Sequence, residues 1–465
     1  MIDKSSLDRR SLLAGAAAGA VAIAAPAGAA RAATGTRPYP DVIFIMADDM
    51  GYADLSITGS HHIRTPAIDS IGTGGTVLHQ SYSSSPVCSA SRTAIITGCY
   101  QGRFRVGLDE PLAELPPGLG LPADRPTLPG LFRKAGYRTA LVGKWHLGTP
   151  PLNGPLEHGY DSFYGIVEGA ADYFIHHTVH DGKPVGIGLA QGDKPLEATG
   201  YLTDLFGAQA VKEIEAAGDK PLFLSLHFNA PHWPWEGRED EAIAKTLKDS
   251  RDTSGGNLAK YAEMTQIMDE NVGKVLAALK HAGREDAIVV FTSDNGGERF
   301  SETWPFVGQK GELLEGGIRV PGLVRAPGRI AAGSNIDQPI VGMDWLPTLF
   351  ALATGKSADG TFDGLDLSPQ LTGKAAPVAR TIYWRYKAND QAAVRQGDWK
   401  YLKLGDKEHL FNVVQDERER ADFFDVNKDK VKELKALWDK WNAQMIPYPL
   451  GSFSEDVKKW YPDRY

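Results

Sequence analysis

Cys88 and Arg92 lie four residues apart in Ser85-Pro86-Val87-Cys88-Ser89-Ala90-Ser91-Arg92-Thr93-Ala94-Ile95-Ile96-Thr97-Gly98. The stretch predicts a loop running into a helix. Pro86 precedes the turn, Ser and Thr supply capping oxygens, and Gly98 ends the run. Cys88 then falls near a helix N-terminus, where free backbone N–H groups and the dipole favour anions. The spacing of four puts Arg92 on the same helical face. A nucleophile-type residue and a guanidinium therefore face one anion-friendly spot. The competing reading is a core cysteine with an arginine at its rim, since free cysteine is commonly buried.

A second set of polar residues is rich in oxygen. Asp41 to Ala47 is a continuous apolar run after its first residue, as a buried strand would be, and it ends in Asp48-Asp49-Met50-Gly51. Ala287 to Thr292 is a similar run ending in Ser293-Asp294-Asn295-Gly296-Gly297. Ligands in open α/β sheets bind beyond the C-terminal ends of strands, so the two dipeptides suggest one shared site. Asp48, Asp49, Asp294 and Asn295 offer hard oxygen atoms and no sulfur or imidazole. That set suits calcium or magnesium rather than zinc. Either dipeptide alone reads equally well as a turn.

The remaining candidates also lie where strands end or helices begin. Thr139 to Val142 predicts a strand leading to Gly143-Lys144-Trp145-His146-Leu147-Gly148. On an extended segment Lys144 and His146 would face the same side. Pro221 to Phe228 predicts another strand, followed by Asn229-Ala230-Pro231-His232-Trp233-Pro234, and Lys310 lies in Gly308-Gln309-Lys310-Gly311. Taken singly, such histidines are more often structural and such lysines solvated. Helices are predicted from Ile68 to Gly75, Leu128 to Gly136 and Lys260 to His281. This alternation points to an α/β sandwich with a largely parallel sheet. From about residue 376 the texture changes to short strands around Thr381–Tyr386, Gln391–Arg395 and Trp399–Leu404, then His409-Leu410-Phe411-Asn412 and a charged helix from Lys430 to Met445. These predict a small antiparallel sheet with a C-terminal helix.

Cys88-x-Ala90-x-Arg92 resembles the signature of type I sulfatases, whose commonest form has proline where this chain has Ala90. The resemblance extends from about residue 37 to 425. It is carried by Ala47-Asp48-Asp49-Met50-Gly51, Cys88 to Arg92, Gly143 to Gly148, Ala230-Pro231-His232, Ser293-Asp294-Asn295-Gly296 and Gly308-Gln309-Lys310-Gly311, in the family's order. It implies the alkaline-phosphatase-like α/β fold. It implies that Cys88 is oxidised to formylglycine, whose hydrate is the nucleophile. Asp48, Asp49, Asp294 and Asn295 would hold the metal, usually calcium, with the Cys88-derived group completing the shell. Arg92 and Lys144 would hold the formylglycine and sulfate oxygens. His232, with Lys310, would protonate the leaving oxygen, and His146 would take a proton so that sulfate departs.

The alternatives are a phosphonate monoester or phosphodiester hydrolase of the same superfamily, and a non-catalytic glycan-binding relative in which Cys88 stays a thiol. A sulfate monoester is an anion, so its site must be cationic although the protein is acidic. Arg92, Lys144, Lys310 and the metal supply that charge. Trp145, Trp233, Trp235 and Trp304 could stack on sugar or aryl rings or lie in the core. They lean the expected substrate toward a sulfated carbohydrate, with aryl sulfates also cleaved.

The chain has 465 residues and a formal net charge of −8. Its length allows a large core and more than one domain or subdomain. The first 33 residues are net basic, so the rest is more acidic still, which argues against nucleic acid as a partner. Cys88 and Cys99 are the only cysteines; a disulfide between them is open, and zinc-type spacing is absent. Arg9-Arg10-Ser11-Leu12-Leu13, an Ala/Gly-rich run and Ala30-Arg31-Ala32-Ala33 read as a cleavable signal resembling the twin-arginine export motif of bacteria. Pro26, the glycines and the cleavage-like end favour removal over a retained membrane anchor. The expected organisation is a signal over 1–33, a catalytic domain over 34–375 and a C-terminal subdomain over 376–465. A periplasmic or secreted location follows. The partners would be the export machinery and a formylglycine-generating maturation enzyme.

Overall fold

The computed structural model describes residues 37–112, 118–251 and 256–456. The signal-type segment with Arg9 and Arg10 lies outside the described residues. A ten-stranded sheet forms the centre. In spatial order its strands are Ser334–Ile336, Thr76–Leu78, Gly322–Arg325, Ile288–Ser293, Val42–Ala47, Leu222–His227, Arg138–Gly143, Ser162–Ile166, Leu189–Gln191 and Lys194–Pro195. The five from Ile288–Ser293 to Ser162–Ile166 run parallel, and antiparallel strands flank them on both sides.

Val42-Ile43-Phe44-Ile45-Met46-Ala47 is buried throughout because it is central and covered on both faces. Alternation divides it between two cores. Ile43, Ile45 and Ala47 pack on one side with residues of the Leu202–Glu215 and Leu258–His281 helices. Val42, Phe44 and Met46 pack on the other with Ile95, Ile96, Leu128, Phe132, Trp345 and Leu349. Each fully buried Val, Ile or Phe contributes roughly 1.5–3 kcal/mol relative to exposure. The helix boundaries have local causes. Asn257 accepts the Lys260 N–H at 2.9 Å at the start of the long helix, and Thr127 accepts the Gly130 N–H at 3.1 Å. Among the described residues, no helix is long and apolar enough to cross a membrane.

The C-terminal sheet has four antiparallel strands, Thr381–Tyr386, Gln391–Gln396, Trp399–Leu404 and Lys407–Asn412. The expected final helix is present as Lys428–Asn442. Its apolar stripe of Val431, Leu434 and Leu437 packs on the sheet residues Val394, Tyr401 and Leu410.

Candidate active site

The strand register brings the scattered motifs together. Ala47 pairs with Ser293, Met46 with His227, and His227 with Gly143. Four neighbouring parallel strands therefore end on one level. The residues that follow them, Asp294 and Asn295, Asp48 and Asp49, His232, and Lys144 and His146, share one edge. Asp48 N–H donates to the Ala230 carbonyl and Asp294 N–H to the Ala47 carbonyl, which laces the loops to each other.

Asp49 and His146 both have left-handed backbone, with φ of 64° and 60°. Such strain in non-glycine residues persists only where the surroundings over-determine it, and it clusters at working sites. It also corrects the expectation of an extended Lys144–His146 segment. The strand ends at Gly143, whose own φ is 115°, and the left-handed backbone at His146 breaks the extended alternation between the two residues.

Cys88 is the first residue of the Cys88–Thr97 helix, which closes on a left-handed Gly98. The expected Ser/Thr cap is not made: Val87 is the N-cap and uses no side chain. Ser89 Oγ instead accepts the Leu112 N–H at 2.8 Å. Cys88 Sγ lies 3.8 Å from Asp49 Oδ1. Burial pushes its thiol well up, against the pull of Lys144 and Lys310. Cys99 follows the helix at its far end, about 15 Å along the axis, and both cysteines are free thiols. The disulfide left open by the sequence is not formed.

Three carboxylates meet three cations here. Lys144 Nζ donates to Asp48 Oδ2 at 2.5 Å, and Lys310 Nζ donates to Asp49 Oδ2 at 2.6 Å. Arg92 Nε donates to Asp294 Oδ2 at 2.9 Å and its Nη1 to the Lys144 carbonyl at 3.2 Å, with Nη2 3.6 Å from Asp48 Oδ1. Arg92 thus secures the carboxylates from behind, while the two lysines hold the front. Burial, then the neighbouring Asp48, push the Asp294 carboxyl up to about 7.

The donor set fits a divalent cation. Ligand atoms of Asp48, Asp49, Cys88 and His232 all lie within 4.8 Å of one another. Asp48 Oδ1 and Asn295 Oδ1 are buried without a hydrogen-bond partner, which is costly unless something positive meets them. Asp294 Oδ1 receives the Asp49 N–H at 3.3 Å, and Asn295 Nδ2 donates to Asp49 Oδ1 at 2.7 Å. The expected oxygen ligands therefore converge, and His232 joins them.

The two histidines are bonded differently. His146 Nε2 lies 2.9 Å from the Leu112 carbonyl, and its buried Nδ1 has no partner. The ring is thus the Nε2–H tautomer, with an unprotonated Nδ1. Burial, reinforced by Lys144, holds its pKa well below the usual range. His232 Nδ1 lies 2.8 Å from the Trp233 carbonyl, and its Nε2 faces Lys310 Nζ at 3.4 Å and Asp49 Oδ2 at 3.4 Å. Burial brings it down to about 3, with Asp49 opposing.

The Sulfatase family model matches residues 40–356. The chain belongs to the sulfatase family. It is 30% identical to arylsulfatase J of Mus musculus, across 90% of this chain and 78% of that protein. It is 32% identical to the N-acetylgalactosamine-6-sulfatase of Mus musculus, across 79% of this chain and 72% of that one. The crystal structure of Ps i-CgsB in complex with k-i-k-neocarrahexaose is 30% identical, with a TM-score of 0.79, over 91% of this chain and 96% of that chain. The protein is a sulfatase of the alkaline-phosphatase-like superfamily, an enzyme that hydrolyses sulfate esters.

Every candidate residue of this sulfatase reaches the one site. Of the four tryptophans, only Trp233 packs against a residue of that cluster. Trp145 is core, with its indole N–H donating to the Asn153 carbonyl at 2.9 Å. Trp235 is buried against Phe300. Trp233 lies on His232, with ring centroids 4.3 Å apart, and Trp304 is exposed beneath the Arg418 guanidinium. Sequence reasoning missed the supports. Tyr173 Oη donates toward the Asn229 and His232 carbonyls, at 3.1 and 2.9 Å. Asp54 accepts the Gly51 N–H at 2.8 Å, the Tyr261 hydroxyl at 2.6 Å and the Ser301 hydroxyl at 2.7 Å, and so braces the loop after Asp49. Gly169 packs so tightly on His146 that a Cβ would lie 2.4 Å from its Cε1. None of these carries a motif; only contact reveals them.

Proposed function

We propose that this sulfatase cleaves sulfate monoesters of carbohydrates, and aryl sulfates as well. Cys88 is converted to formylglycine, and Asp48, Asp49, Asp294 and Asn295 hold one calcium or magnesium ion. The observation that carries this reading is the setting of Cys88: a buried first helical residue 3.8 Å from Asp49, with Lys144 and Lys310 acting on it. The carbohydrate preference is supported by the neocarrahexaose in the similar crystal structure and by the name of the N-acetylgalactosamine-6-sulfatase.

When in place, the hydrated aldehyde supplies the nucleophile and the cation polarises the sulfate oxygens. The charge balance supports a cation. Three carboxylates neutralise Arg92, Lys144 and Lys310, so without further positive charge the site would be no better than neutral toward an anionic ester. Lys144 and Lys310 face the sulfate. Arg92 fixes Asp294 and Asp48 so that their free oxygens converge. His232 Nε2 and Lys310 Nζ share a proton and deliver it to the departing ester oxygen. His146, neutral and open at Nδ1, accepts the proton that must leave the Cys88-derived group for sulfate to depart.

Cys88 is 2% exposed in the folded chain. A maturation enzyme must therefore reach it before folding. With the Arg9-Arg10 signal, which suits export of folded protein, modification precedes twin-arginine transport toward the periplasm or the medium.

Protein made alongside a maturation enzyme tests the reading. Mass spectrometry of the peptide containing Arg92 should find formylglycine at Cys88. Sulfated oligosaccharides and aryl sulfates should be cleaved, exhaustive chelation should abolish turnover, and Cys88→Ala should be folded but inactive. An unmodified Cys88 in fully active protein, or a phosphodiester cleaved faster than any sulfate ester, would overturn it.

A further inference from the structure

Leu222-Phe223-Leu224-Ser225-Leu226-His227 is an apolar central strand that ends in a histidine. Phe223 packs in the core that holds Ile95 and Ile96 of the Cys88–Thr97 helix, and alternation sends Ser225 and His227 to the same side. The His227 ring stands edge-on to Phe44, with centroids 6.1 Å apart. With Phe44, Met46, Arg92, Ile95 and Trp145 it lines a cavity of about 20 Å3, room for roughly one water. Packing does not clamp the ring on that side, so its hydrogen bond must orient it.

That bond goes to Lys144. His227 Nδ1 lies 3.3 Å from the Lys144 carbonyl, and a carbonyl only accepts, so Nδ1 carries the ring hydrogen. Burial, then Arg92, hold the imidazole well below its usual pKa, and the ring is neutral. The His227 carbonyl in turn accepts the Lys144 N–H at 2.8 Å. One residue therefore holds both polar groups of the Lys144 backbone. The strand before Lys144 has just ended at Gly143, whose φ of 115° turns the chain out of the ladder, and side chains meet the Lys144 carbonyl instead. Its second donor is Arg92 Nη1 at 3.2 Å, and a carbonyl has two lone pairs for two such donors. From this junction Lys144 Nζ reaches Asp48 Oδ2 at 2.5 Å, and Arg92 Nε reaches Asp294 Oδ2 at 2.9 Å.

We propose that His227 is a positioning residue: its bond to the Lys144 carbonyl fixes the ammonium that faces the sulfate and the guanidinium that aims the Asp48 and Asp294 carboxylates. The proposal rests on the roles given to Lys144 and Arg92 above. Without the imidazole N–H the carbonyl loses one of its two donors, and the segment that carries Lys144 can shift. Small displacements of groups that hold a substrate are costly in turnover. The sulfate group is common to every ester, so the loss should not depend on the leaving group.

The test uses the full, matured enzyme as wild type, His227→Asn, His227→Phe, His227→Leu and Lys144→Ala. Melting curves verify folding, and mass spectrometry verifies equal formylglycine content. Asparagine can place an amide N–H where Nδ1 stood, phenylalanine keeps a ring without a donor, and leucine has neither. Turnover is measured on aryl sulfates of graded leaving-group pKa. In His227→Phe and His227→Leu, kcat/KM should fall about tenfold to a hundredfold, by the same factor across the series. In His227→Asn it should return to within about threefold of wild type, a rescue that lost packing could not produce. A folded Phe or Leu variant within about twofold of wild type would overturn the proposal. So would a folded Asn variant that loses as much as the other two, or a loss that grows with leaving-group pKa. Should the phenylalanine variant melt early, the contrast between asparagine and leucine decides the same question. Wild-type turnover in Lys144→Ala would overturn the role given to Lys144, and this proposal with it.

Discussion

Lys310 Nζ stands between Asp49 Oδ2 at 2.6 Å and His232 Nε2 at 3.4 Å. This places one ammonium group between a carboxylate and the imidazole proposed to protonate the departing oxygen. His232 cannot hold a proton alone at neutral pH, since burial brings it down to about 3. In the proposed mechanism its Nε2 shares and aims the Lys310 proton. His232→Ala should therefore discriminate by leaving group. Hydrolysis of sugar or alkyl sulfates should fall about a hundredfold to ten-thousandfold, while activated aryl sulfates lose less than about tenfold, because their phenolates leave without a proton. A plot of log kcat against leaving-group pKa should steepen in the variant. An unchanged slope would remove His232 from proton delivery.

At the level of elements, the loops after the strands are too irregular to hold geometry by themselves and are fixed by neighbours. The His146 loop shows how. Its backbone is left-handed, its ring is tied to Leu112, and its other face lies against Gly169. Gly169→Ala would put a methyl group 2.4 Å from His146 Cε1 and 2.5 Å from its Nε2, so the ring must move. Turnover should drop roughly tenfold to a hundredfold, as small displacements of catalytic groups do. Formylglycine content and overall fold should be kept, which mass spectrometry and circular dichroism would verify. The Lys310 loop is held the same way. Gln391 of the C-terminal sheet accepts the Leu313 N–H at 2.9 Å and donates to the Gly311 carbonyl at 2.9 Å.

Across the whole molecule, the C-terminal sheet is fastened to the catalytic part by buried charge. Lys400 Nζ lies 2.9 Å from both Glu315 Oε1 and Glu419 Oε1, and Glu315 Oε2 accepts from Arg319 at 2.8 Å and from the Tyr82 hydroxyl at 2.7 Å. Replacing both ends of such a cluster by apolar groups can be neutral, but removing one end strands a buried charge. Lys400→Met should cost about 3–5 kcal/mol in unfolding free energy, and activity should weaken with it because Glu315 follows the Lys310 loop. Denaturant titration would measure the loss.

Stability should also depend on pH, through two other buried carboxyls. Burial pushes Glu110 up to about 7; burial, then Asp172, push Glu236 up to about 9. Both bind protons more tightly folded than unfolded. Their contribution is therefore present in mild acid and is lost as pH rises through those values. The melting temperature should fall between pH 5 and about 9, and Glu236→Gln should flatten the upper part of that decline. A midpoint that climbs over this range would contradict the assignment.

The candidate residues that the structure brings together and the central fold were legible in the chain itself. Short-range causes explain why. Buried parallel strands are written as continuous apolar runs, and the polar groups that work at their ends must follow immediately, so Asp48-Asp49, Asp294-Asn295 and Lys144 announce themselves next to Val42–Ala47, Ile288–Ser293 and Arg138–Gly143. The helix behind Cys88 ends on Gly98 as its left-handed position requires. What only the tertiary structure decided is long-range. Strand register set which loop ends share a level. Left-handed backbone at His146 broke an expected extended segment, Val87 capped the helix where a hydroxyl was expected, and Arg92 turned to Asp294. Leu112, Gly169, Tyr173 and Gln391 serve the site through a carbonyl, a missing methyl, a hydroxyl and an amide. None of these contacts leaves a periodicity or spacing in the sequence, because each depends on where two remote parts of the chain meet.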